Sequence, residues 1–316
     1  NNSNGIDLES GTSTSSNSTI KANFIGSDVN GTSAIRNTNG IEFTKVSNLN
    51  IAYNILTAST RMIHGLSSSD NSNAIADLTI DNNYLGVNRS ATAKLADSSF
   101  GVWLQSNTSS TLDNVTITNN TIGAAVNSAI FLYGSEISDA VIKSNYIGFT
   151  EGDVSISNKY GIQLFNTDNA SIDIGGSNEA DGNVISTNRN HAIYLYNAKK
   201  TLIQNNTIHS NLSDGVYISQ NASVDNTIVE NSIFNNTGLG INLVSPGPKI
   251  NYNDDGDTDT GPNNLQNFPI IIKAIYEGTT LTLHYAYQSD SSKYYRLDFY
   301  SNDSSDPSGF GEGDYH

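Results

Sequence analysis

The sequence contains no cysteine, which excludes disulfide bonds and any thiol or thiolate-metal site. Positive charge is also scarce: 15 Lys and Arg residues stand against 31 Asp and Glu residues, giving a formal net charge of −16. This balance argues against nucleic acid or an anionic membrane as a partner. It fits a secreted or cell-surface protein, or a surface that binds cations.

Long apolar runs are absent as well. No run approaches the roughly 18 residues that a transmembrane helix needs, so we expect no membrane insertion. The apolar fraction of 36% is low for a globular chain of 316 residues. A solenoid, however, needs only a narrow core column, and this composition is sufficient for one.

What the chain does contain is a short motif, Gly-Ile/Val-x-Leu/Ile, that recurs every 23 to 25 residues between residues 192 and 243. Two short apolar strands separate successive copies, and apolar and polar residues alternate in each strand. The copies begin at Gly5, Gly40, Gly101, Ala129, Gly161, Ala192, Gly215 and Gly240, with a degenerate copy at 62–66. A fixed period of this length indicates stacked units. We therefore predict an all-β fold, a right-handed parallel β-helix with three strands per turn, over residues 1–245.

A second motif, Asn-x-Ile/Leu, marks the corners. Its copies begin at Asn23, Asn54, Asn83, Asn120, Asn145, Asn183, Asn206 and Asn231. Asn tolerates left-handed backbone geometry, and its amide can hydrogen-bond the same position one turn away. We expect ladders of structural Asn side chains, a backbone bend at each motif glycine, and loops at about 26–39, 86–100, 148–160 and 175–182, where the spacing exceeds one turn.

The pattern stops after Leu243. The segment 246–267 begins with a Pro-Gly-Pro break and continues as an acidic linker, and residues 268–316 return to plain alternation. We predict three strands there, at 270–276, 280–287 and 294–300, with a hairpin turn at Glu277-Gly278. They would form a short antiparallel cap or a truncated β-sandwich, because a solenoid otherwise exposes its last pairing edge.

Several phrases in this chain resemble a known family. They are NFIGSDVNGTSAIRNTNGI (Asn23 to Ile41), IGGSNEADGNVIS (Ile174 to Ser186), NDDGDTDTGPNNLQNFPII (Asn253 to Ile271) and DPSGFGEG (Asp306 to Gly313). They look like right-handed parallel β-helix repeat proteins of bacterial surfaces. The resemblance implies a pectate-lyase-like fold in large secreted proteins, for which adhesion is the usual assignment. It supplies no catalytic motif to carry over.

Aromatic residues occupy the outward positions of the first motif. Ile and Leu must face the core, so the residue between them and the one after face solvent. Five consecutive copies carry an outward aromatic residue, and parallel stacking would space these about 4.8 Å apart. The candidate ligand-binding residues are Trp103, Phe131, Tyr133, Phe165, Tyr194, Tyr196 and Tyr217. Such a face could bind sugar rings or another protein; alternatively, loops or the C-terminal strands cover it.

The acidic linker contains a candidate calcium site. Asp255, Asp257 and Asp259 alternate with single residues, and nearby glycines allow tight turns, which suits a hard cation with oxygen ligands. The loop is not an EF-hand, because Gln266 stands where a bidentate Glu belongs. A solvated acidic turn is the alternative.

Enzymatic motifs are weak. Asn166-Thr167-Asp168 superficially matches the first motif of pectin-hydrolysing β-helices, but no Gly-His-Gly or Arg-x-Lys motif follows. The arginines are scattered, and His64, His191, His209 and His284 form no cluster in the sequence. Carboxylates paired across turns remain open, because a solenoid assembles sites from several turns. Fold analogy alone does not favour catalysis.

We therefore predict a non-catalytic secreted or cell-surface adhesion module. Its partner would be a glycan, or an extracellular matrix or surface protein, bound through the aromatic face. One alternative is a polysaccharide lyase, hydrolase or epimerase on the same fold. Another is a structural spacer of a surface filament, which requires self-association.

Overall fold

The computed structural model describes residues 2–8, 13–67, 75–107, 110–168, 171–244, 250–306, 309 and 311–316. Regular structure in these residues is almost entirely β, apart from short 3-10 turns at Glu179–Asp181 and Pro262–Leu265. The strands are β1 (Asn4–Leu8), β2 (Ser15–Lys21), β3 (Phe24–Ile25), β4 (Asn37–Phe43), β5 (Val46–Ala52), β6 (Ile55–Leu56), β7 (Ala58–Leu66), β8 (Ile75–Asp81), β9 (Tyr84–Leu85), β10 (Phe100–Gln105), β11 (Leu112–Thr118), β12 (Thr121–Ile122), β13 (Ser128–Tyr133), β14 (Asp139–Lys143), β15 (Tyr146–Ile147), β16 (Tyr160–Phe165), β17 (Ser171–Gly175), β18 (Val184–Ser186), β19 (Ile193–Tyr196), β20 (Thr201–Gln204), β21 (Thr207–His209), β22 (Val216–Ser219), β23 (Thr227–Val229), β24 (Ser232–Phe234), β25 (Ile241–Val244), β26 (Ile270–Glu277) and β27 (Thr280–Ala286).

Every third strand joins the same sheet. Sheet A is β1-β4-β7-β10-β13-β16-β19-β22-β25, sheet B is β2-β5-β8-β11-β14-β17-β20-β23, and sheet C contains β3, β6, β9, β12, β15, β18, β21 and β24. All neighbours within these sheets pair in parallel. Three strands therefore make one coil, and the coils stack into the predicted parallel β-helix. The prediction of three-strand turns is confirmed, and β7 places the degenerate motif copy at 62–66 in sheet A.

The core is one continuous apolar column inside the coils. The motif aliphatic residues stack in register, as with Val102 on Ile130 and Leu104 on Leu132, and all four are at most 1% exposed. The buried cluster extends without interruption from Ile20 in sheet B to Ile233 in sheet C. The three larger predicted loops connect sheet C to the following sheet A strand, and the fourth, at 175–182, connects sheet B to sheet C.

The corner asparagines form the predicted ladder. From Asn23 to Asn231, each Asn donates its backbone N–H and its Nδ2–H to the side-chain Oδ1 of the Asn one coil later. All these distances are 2.9–3.1 Å. The prediction of left-handed geometry at these asparagines is wrong. A positive φ occurs mostly at the residue before, for example at Tyr53 and Asn119. None of the eight ladder asparagines has a positive φ.

The motif glycines serve close packing. A Cβ at Gly101 would lie 2.4 Å from the carbonyl oxygen of Ala129 in the next coil. Gly101 and Val102 are both buried, so the strict alternation of the strand is interrupted at this point. The backbone bends as predicted at Gly215 and Gly240, whereas Gly101 lies within β10. Phe100, just before it, contacts the outward ring of Trp103.

The C-terminal segment ends the stack. The hairpin β26–β27 is antiparallel, as predicted, and Gly278 in its turn has a positive φ of 63°. The predicted third strand at 294–300 is wrong. The chain there is held to the last coils instead, with Arg296 Nη2 2.6 Å from Glu230 Oε1. Gly313 then bridges antiparallel to Ile233 of sheet C, so this segment covers part of the exposed edge.

Two further ladders terminate in C-terminal residues. The ladder Asn158–Asn188–Asn211–Asn236 ends on Glu312, whose carboxylate accepts the backbone N–H of Asn236 at 3.1 Å and its Nδ2–H at 2.9 Å. Asn226 donates Nδ2–H to Asn263 Oδ1 at 3.2 Å. The predicted break at 246–248 lies outside the described residues. No described helix is long and apolar enough to cross a membrane.

Candidate functional site

The outer face of sheet A carries all seven aromatic side chains singled out by the sequence, and each is half-exposed. Their rings touch in an unbroken series. Trp103 and Phe131 have centroids 5.5 Å apart, and Phe165 stacks on Tyr196 at 4.7 Å with 11° between the planes. The other contacts are Phe131–Tyr133 at 6.0 Å, Phe131–Phe165 at 5.4 Å, Phe165–Tyr194 at 5.2 Å and Tyr194–Tyr217 at 5.0 Å. We call Trp103, Phe131, Tyr133, Phe165, Tyr194, Tyr196 and Tyr217 the aromatic strip.

The strip changes column once, at β16. Phe131 in β13 and Tyr194 in β19 occupy the same outward register position, and in β16 this position is Gln163. Gln163 is 7% exposed, and its Oε1 accepts a hydrogen bond from the Ser128 hydroxyl. The ring of Phe165, in the adjacent column, contacts both Phe131 and Tyr194. The series therefore remains continuous across five strands.

Sequence reasoning missed three further rings, which border the strip. Phe100 lies 4.6 Å from Trp103, Tyr160 lies 5.9 Å from Tyr194, and His191 stacks on Tyr217 at 4.0 Å with 15° between the planes. Strict alternation places residues two before the motif Ile or Val inside the core. Because the intervening Gly or Ala is itself buried, these side chains emerge on the outer face.

One end of the strip joins a histidine to a carboxylate. His191 Nδ1 lies 3.1 Å from Asp214 Oδ2, although the two are not aligned for a well-directed hydrogen bond. Asp214 also accepts the backbone N–H of Leu239 at 2.7 Å and the Nδ2–H of Asn242 at 3.1 Å. Sequence reasoning missed this pair, because its members lie on different coils.

Burial and contacts set the protonation behaviour at this end. Burial alone would raise the pKa of the Asp214 carboxyl, but His191, the Leu239 N–H and Asn242 together hold that pKa below its usual value. Burial raises the pKa of Tyr194 and of Tyr217. At neutral pH the arrangement is therefore an ionised Asp214 beside His191, with two protonated phenols, of which Tyr194 accepts a hydrogen bond from the Ser219 hydroxyl at 3.3 Å.

The other end of the strip is also polar. His64, in the outward position of the degenerate motif copy, has Nδ1 2.8 Å from Glu42 Oε1, and Asn39 donates Nδ2–H to Glu42 Oε2 at 2.8 Å. The guanidinium carbon of Arg61 lies 4.2 Å from the centre of the Trp103 ring. Burial lowers the pKa of His64, and the approach of Arg61 adds to this, against the opposing effect of Glu42.

The acidic loop forms a carboxylate group that differs by one residue from the predicted set. Oxygen atoms of Asp254, Asp257 and Asp259 all lie within 4.8 Å of one another. Asp255 lies outside this group, and its Oδ1 accepts a hydrogen bond from Gln288. Asp254 Oδ1 and Asp259 Oδ1 are buried without a hydrogen-bond partner. Burial raises the pKa of Asp259, and the neighbouring Asp254 and Asp257 raise it further.

The remaining candidates have structural surroundings. Asn166, of the Asn-Thr-Asp motif, accepts a hydrogen bond from Asn197 Nδ2 of the next coil at 3.0 Å. His209 lies in sheet C, where it stacks on Phe234 at 4.9 Å. His284 lies in β27 of the hairpin. Within the ranges that the structure covers, neither histidine touches the aromatic strip, whereas the backbone N–H of Asn166 donates to the carbonyl oxygen of Tyr196 at 2.9 Å.

Comparison with known proteins now identifies the coiled part of the chain. Residues 101–255 match the family model described as "Right handed beta helix region". This part of the chain is a right-handed β-helix. The three sheets of the β-helix continue N-terminally of the matched residues as far as β1, because β1, β4 and β7 pair in the same register as the strands that follow.

No curated protein sequence matches this chain. Among solved structures, the β-helix is similar to the A-module of the Azotobacter vinelandii mannuronan C-5 epimerase AlgE4, with 13% identity over 70% of this chain and 68% of that chain. The TM-score is 0.28. A likeness this weak supports no statement about function.

Proposed function

We propose that the β-helix binds a glycan along the aromatic strip, as a non-catalytic adhesion module of a secreted or cell-surface protein. The observation that carries this proposal is the unbroken contact of seven half-exposed rings across five parallel strands. Four strand spacings give the strip a length on the order of 19 Å. Contiguous apolar surface of this kind marks interaction sites, and flat rings offer faces on which the apolar faces of sugars can stack.

A glycan array tests this function. We expect binding by the wild type, and a loss of about 5- to 150-fold in affinity for Tyr194→Ala/Tyr196→Ala, because each stacked ring contributes about 0.5–1.5 kcal/mol. The matched control is Tyr84→Ala/Tyr146→Ala, which removes two half-exposed tyrosines from sheet C. Binding that survives the first pair and falls with the second would place the contact elsewhere.

Failure of every glycan to bind would contradict the proposal. The same surface would then be examined against matrix proteins by pull-down and against a second copy by sedimentation. Self-association through the strip would favour the filament spacer.

A second candidate function is catalysis on a polysaccharide, favoured by the contact of His191 with Asp214 beside Tyr194 and Tyr217. A carboxylate close to an imidazole is a common arrangement for general acid–base chemistry, and a phenol can supply a proton. Shortened or epimerised oligosaccharides in the array samples, absent with His191→Gln, would establish this function and replace the adhesion proposal.

We also propose that the carboxylates of Asp254, Asp257 and Asp259 hold a calcium ion that orders the acidic loop. Two observations support it: the three groups repel one another at this separation, and two of their oxygens are buried without partners. Oxygen ligands of this kind suit Ca²⁺. The ion would neutralise the repulsion and satisfy both oxygens.

Calcium is expected to stabilise the wild type by about 1.4–2.7 kcal/mol at roughly 10 mM, for a dissociation constant of about 10⁻⁴–10⁻³ M. Thermal unfolding with calcium or with chelator measures this. Asp259→Asn should lose the calcium response and be the more stable chain in chelator, because it relieves the repulsion. Asp255→Asn should keep the response. Equal responses from both variants would contradict the assignment.

A further inference from the structure

The hairpin β26–β27 has one apolar face. Paired residues of an antiparallel sheet point to the same side, and successive residues along a strand alternate. Three register pairs share one side, and we call them the hairpin apolar face: Ile271–Tyr285, Ala274–Leu283 and Tyr276–Leu281. A register shift between Ile271 and Lys273 brings Ile271 to this side. The opposite side carries the pairs Lys273–His284, Ile275–Thr282 and Glu277–Thr280.

The hairpin apolar face stays open in the folded chain. At the turn end, Tyr276 is 72% exposed and Leu281 is 56% exposed. At the base, the ring centroid of Phe299 lies 5.5 Å from that of Tyr285, yet Tyr285 is still 46% exposed. A two-stranded hairpin is marginally stable in water unless its apolar face is packed, and an antiparallel sheet usually leaves only its polar face in water. The described residues of this chain therefore leave most of the face for a partner to cover.

The distribution of charge favours a second copy of this chain as that partner. Residues 268–287 contain one Lys and one Glu, whose charges cancel, whereas the whole chain carries a net charge of −16. Two copies repel one another over most of their surfaces, but this repulsion is absent at the hairpin itself. The hairpin apolar face has no charged side chain, so it offers no counter-charge to a strongly charged partner.

The hairpin apolar face is also complementary to itself. Near the turn it carries Tyr276 with Leu281, and at the base it carries Tyr285 with Ile271. Each end thus has one tyrosine and one aliphatic side chain, with the small Ala274 between them. A two-fold axis through the centre lays the turn end of one hairpin on the base of the other. It also separates the two acidic β-helices, because each hairpin joins its β-helix at the base.

The exposed area is sufficient for a reversible dimer. Large apolar side chains expose about 150–250 Å² each, so four of them at about half exposure offer on the order of 500 Å² per copy. Two copies would bury on the order of 1,000 Å² of total surface, which is the lower limit for a specific interface. We infer that the hairpin apolar face is a homodimer interface, in which two hairpins stack face to face about a two-fold axis as a four-stranded sandwich.

Sedimentation equilibrium at about 1–200 µM protein tests this interface, because contacts of this size give dissociation constants on the order of 1–100 µM. Leu281→Arg puts a charge into the apolar contact and should weaken the dimer at least about 10-fold. The matched control is Thr282→Arg, the same change of charge at an exposed position on the polar side of the hairpin; it should leave the dissociation constant within about twofold. Circular dichroism and Trp103 fluorescence verify that each variant keeps its β-helix.

Cysteine cross-linking locates the contact, because the chain has no cysteine of its own. Ala274→Cys should give a covalent dimer with a bis-maleimide that spans about 10 Å, the separation of two packed sheets. The control is Lys273→Cys, an exposed neighbour on the polar side, which should give none. Equal cross-linking of the two variants would contradict face-to-face stacking.

A wild type that stays monomeric at every concentration would overturn the interface, as would equal effects of Leu281→Arg and Thr282→Arg. Salt should strengthen the dimer, because it screens the repulsion between two acidic chains; a dimer that weakens with salt would contradict an apolar contact. Species larger than a dimer would reject the closed two-fold arrangement. Tyr194→Ala/Tyr196→Ala should leave the dimer intact, so a failed glycan array does not affect this inference. Loss of the dimer in that variant would place self-association on the aromatic strip instead.

Discussion

Replacing Asn120 with alanine is expected to lower the free energy of unfolding by about 2–4 kcal/mol. The Asn120 side chain is fully buried and accepts two hydrogen bonds from Asn83, through its backbone N–H at 2.9 Å and its Nδ2–H at 3.0 Å. It also donates to Ile80 O and Thr118 O, both at 2.8 Å. Alanine leaves these groups unpaired inside the corner, and each unpaired buried group costs about 1–3 kcal/mol.

Urea unfolding followed by circular dichroism and by Trp103 fluorescence measures this loss. Trp103 lies on β10 and Asn120 just before β12, so the fluorescence reports on the coil that the substitution changes. The control is Asn30→Ala, an exposed loop asparagine, which should change stability by no more than about 0.5 kcal/mol. An Asn120→Ala chain as stable as this control would mean that the ladder adds nothing to backbone pairing.

Glu312 gives the second large effect, and its sign depends on pH. Its carboxylate ends an asparagine ladder at 7% exposure, where burial raises its pKa against the hydrogen bonds donated by Asn236. A raised folded-state pKa means that stability is complete below the ordinary Glu pKa of about 4.3 and is lost as pH rises through the folded value. The ionised cap is therefore the less stable one.

Glu312→Gln should stabilise the protein at pH 7, because the amide oxygen keeps both hydrogen bonds without a buried charge. The advantage should shrink as pH falls towards 4, where the wild-type carboxyl is protonated. Glu312→Ala should destabilise at both pH values, by about 1–3 kcal/mol for each Asn236 donor left unpaired. Urea midpoints at the two pH values measure all three chains. A Gln variant less stable than wild type at pH 7 would show that the charge itself holds the cap.

The aromatic strip could be predicted in large part from the sequence. The outward positions of the first motif follow from alternation within a strand, and all seven predicted rings lie on one face in mutual contact. Phe100, Tyr160 and His191 were missed because two consecutive residues are buried at each motif glycine or alanine, which moves the preceding residue outward. That interruption of the alternation depends on close contact with the next coil. The residue pattern of a single strand does not reveal it.

The polar ends of the strip show the same limit. Glu42 lies 19 residues before Arg61 and 22 before His64, and His191 and Asp214 are 23 apart. Stacking puts each of these groups together. His64 did carry a usable signal, since it occupies the outward position of the degenerate motif copy. Two of the three carboxylates that meet in the acidic loop were among the predicted residues. The third is Asp254 and not Asp255, because the turn decides which side chains meet and regular spacing in the sequence does not.

The sequence by itself determined the coiled architecture, the inward and outward faces of the motif strands, the asparagine ladders and the need for a cap. These follow from local alternation and from a period that repeats, and both are properties of the chain alone. Only the tertiary structure decided which polar groups meet across coils, how the strip passes Gln163, and that Glu312 closes a ladder. Those contacts depend on the register between coils and on where each loop returns the chain. Residues distant in sequence determine both.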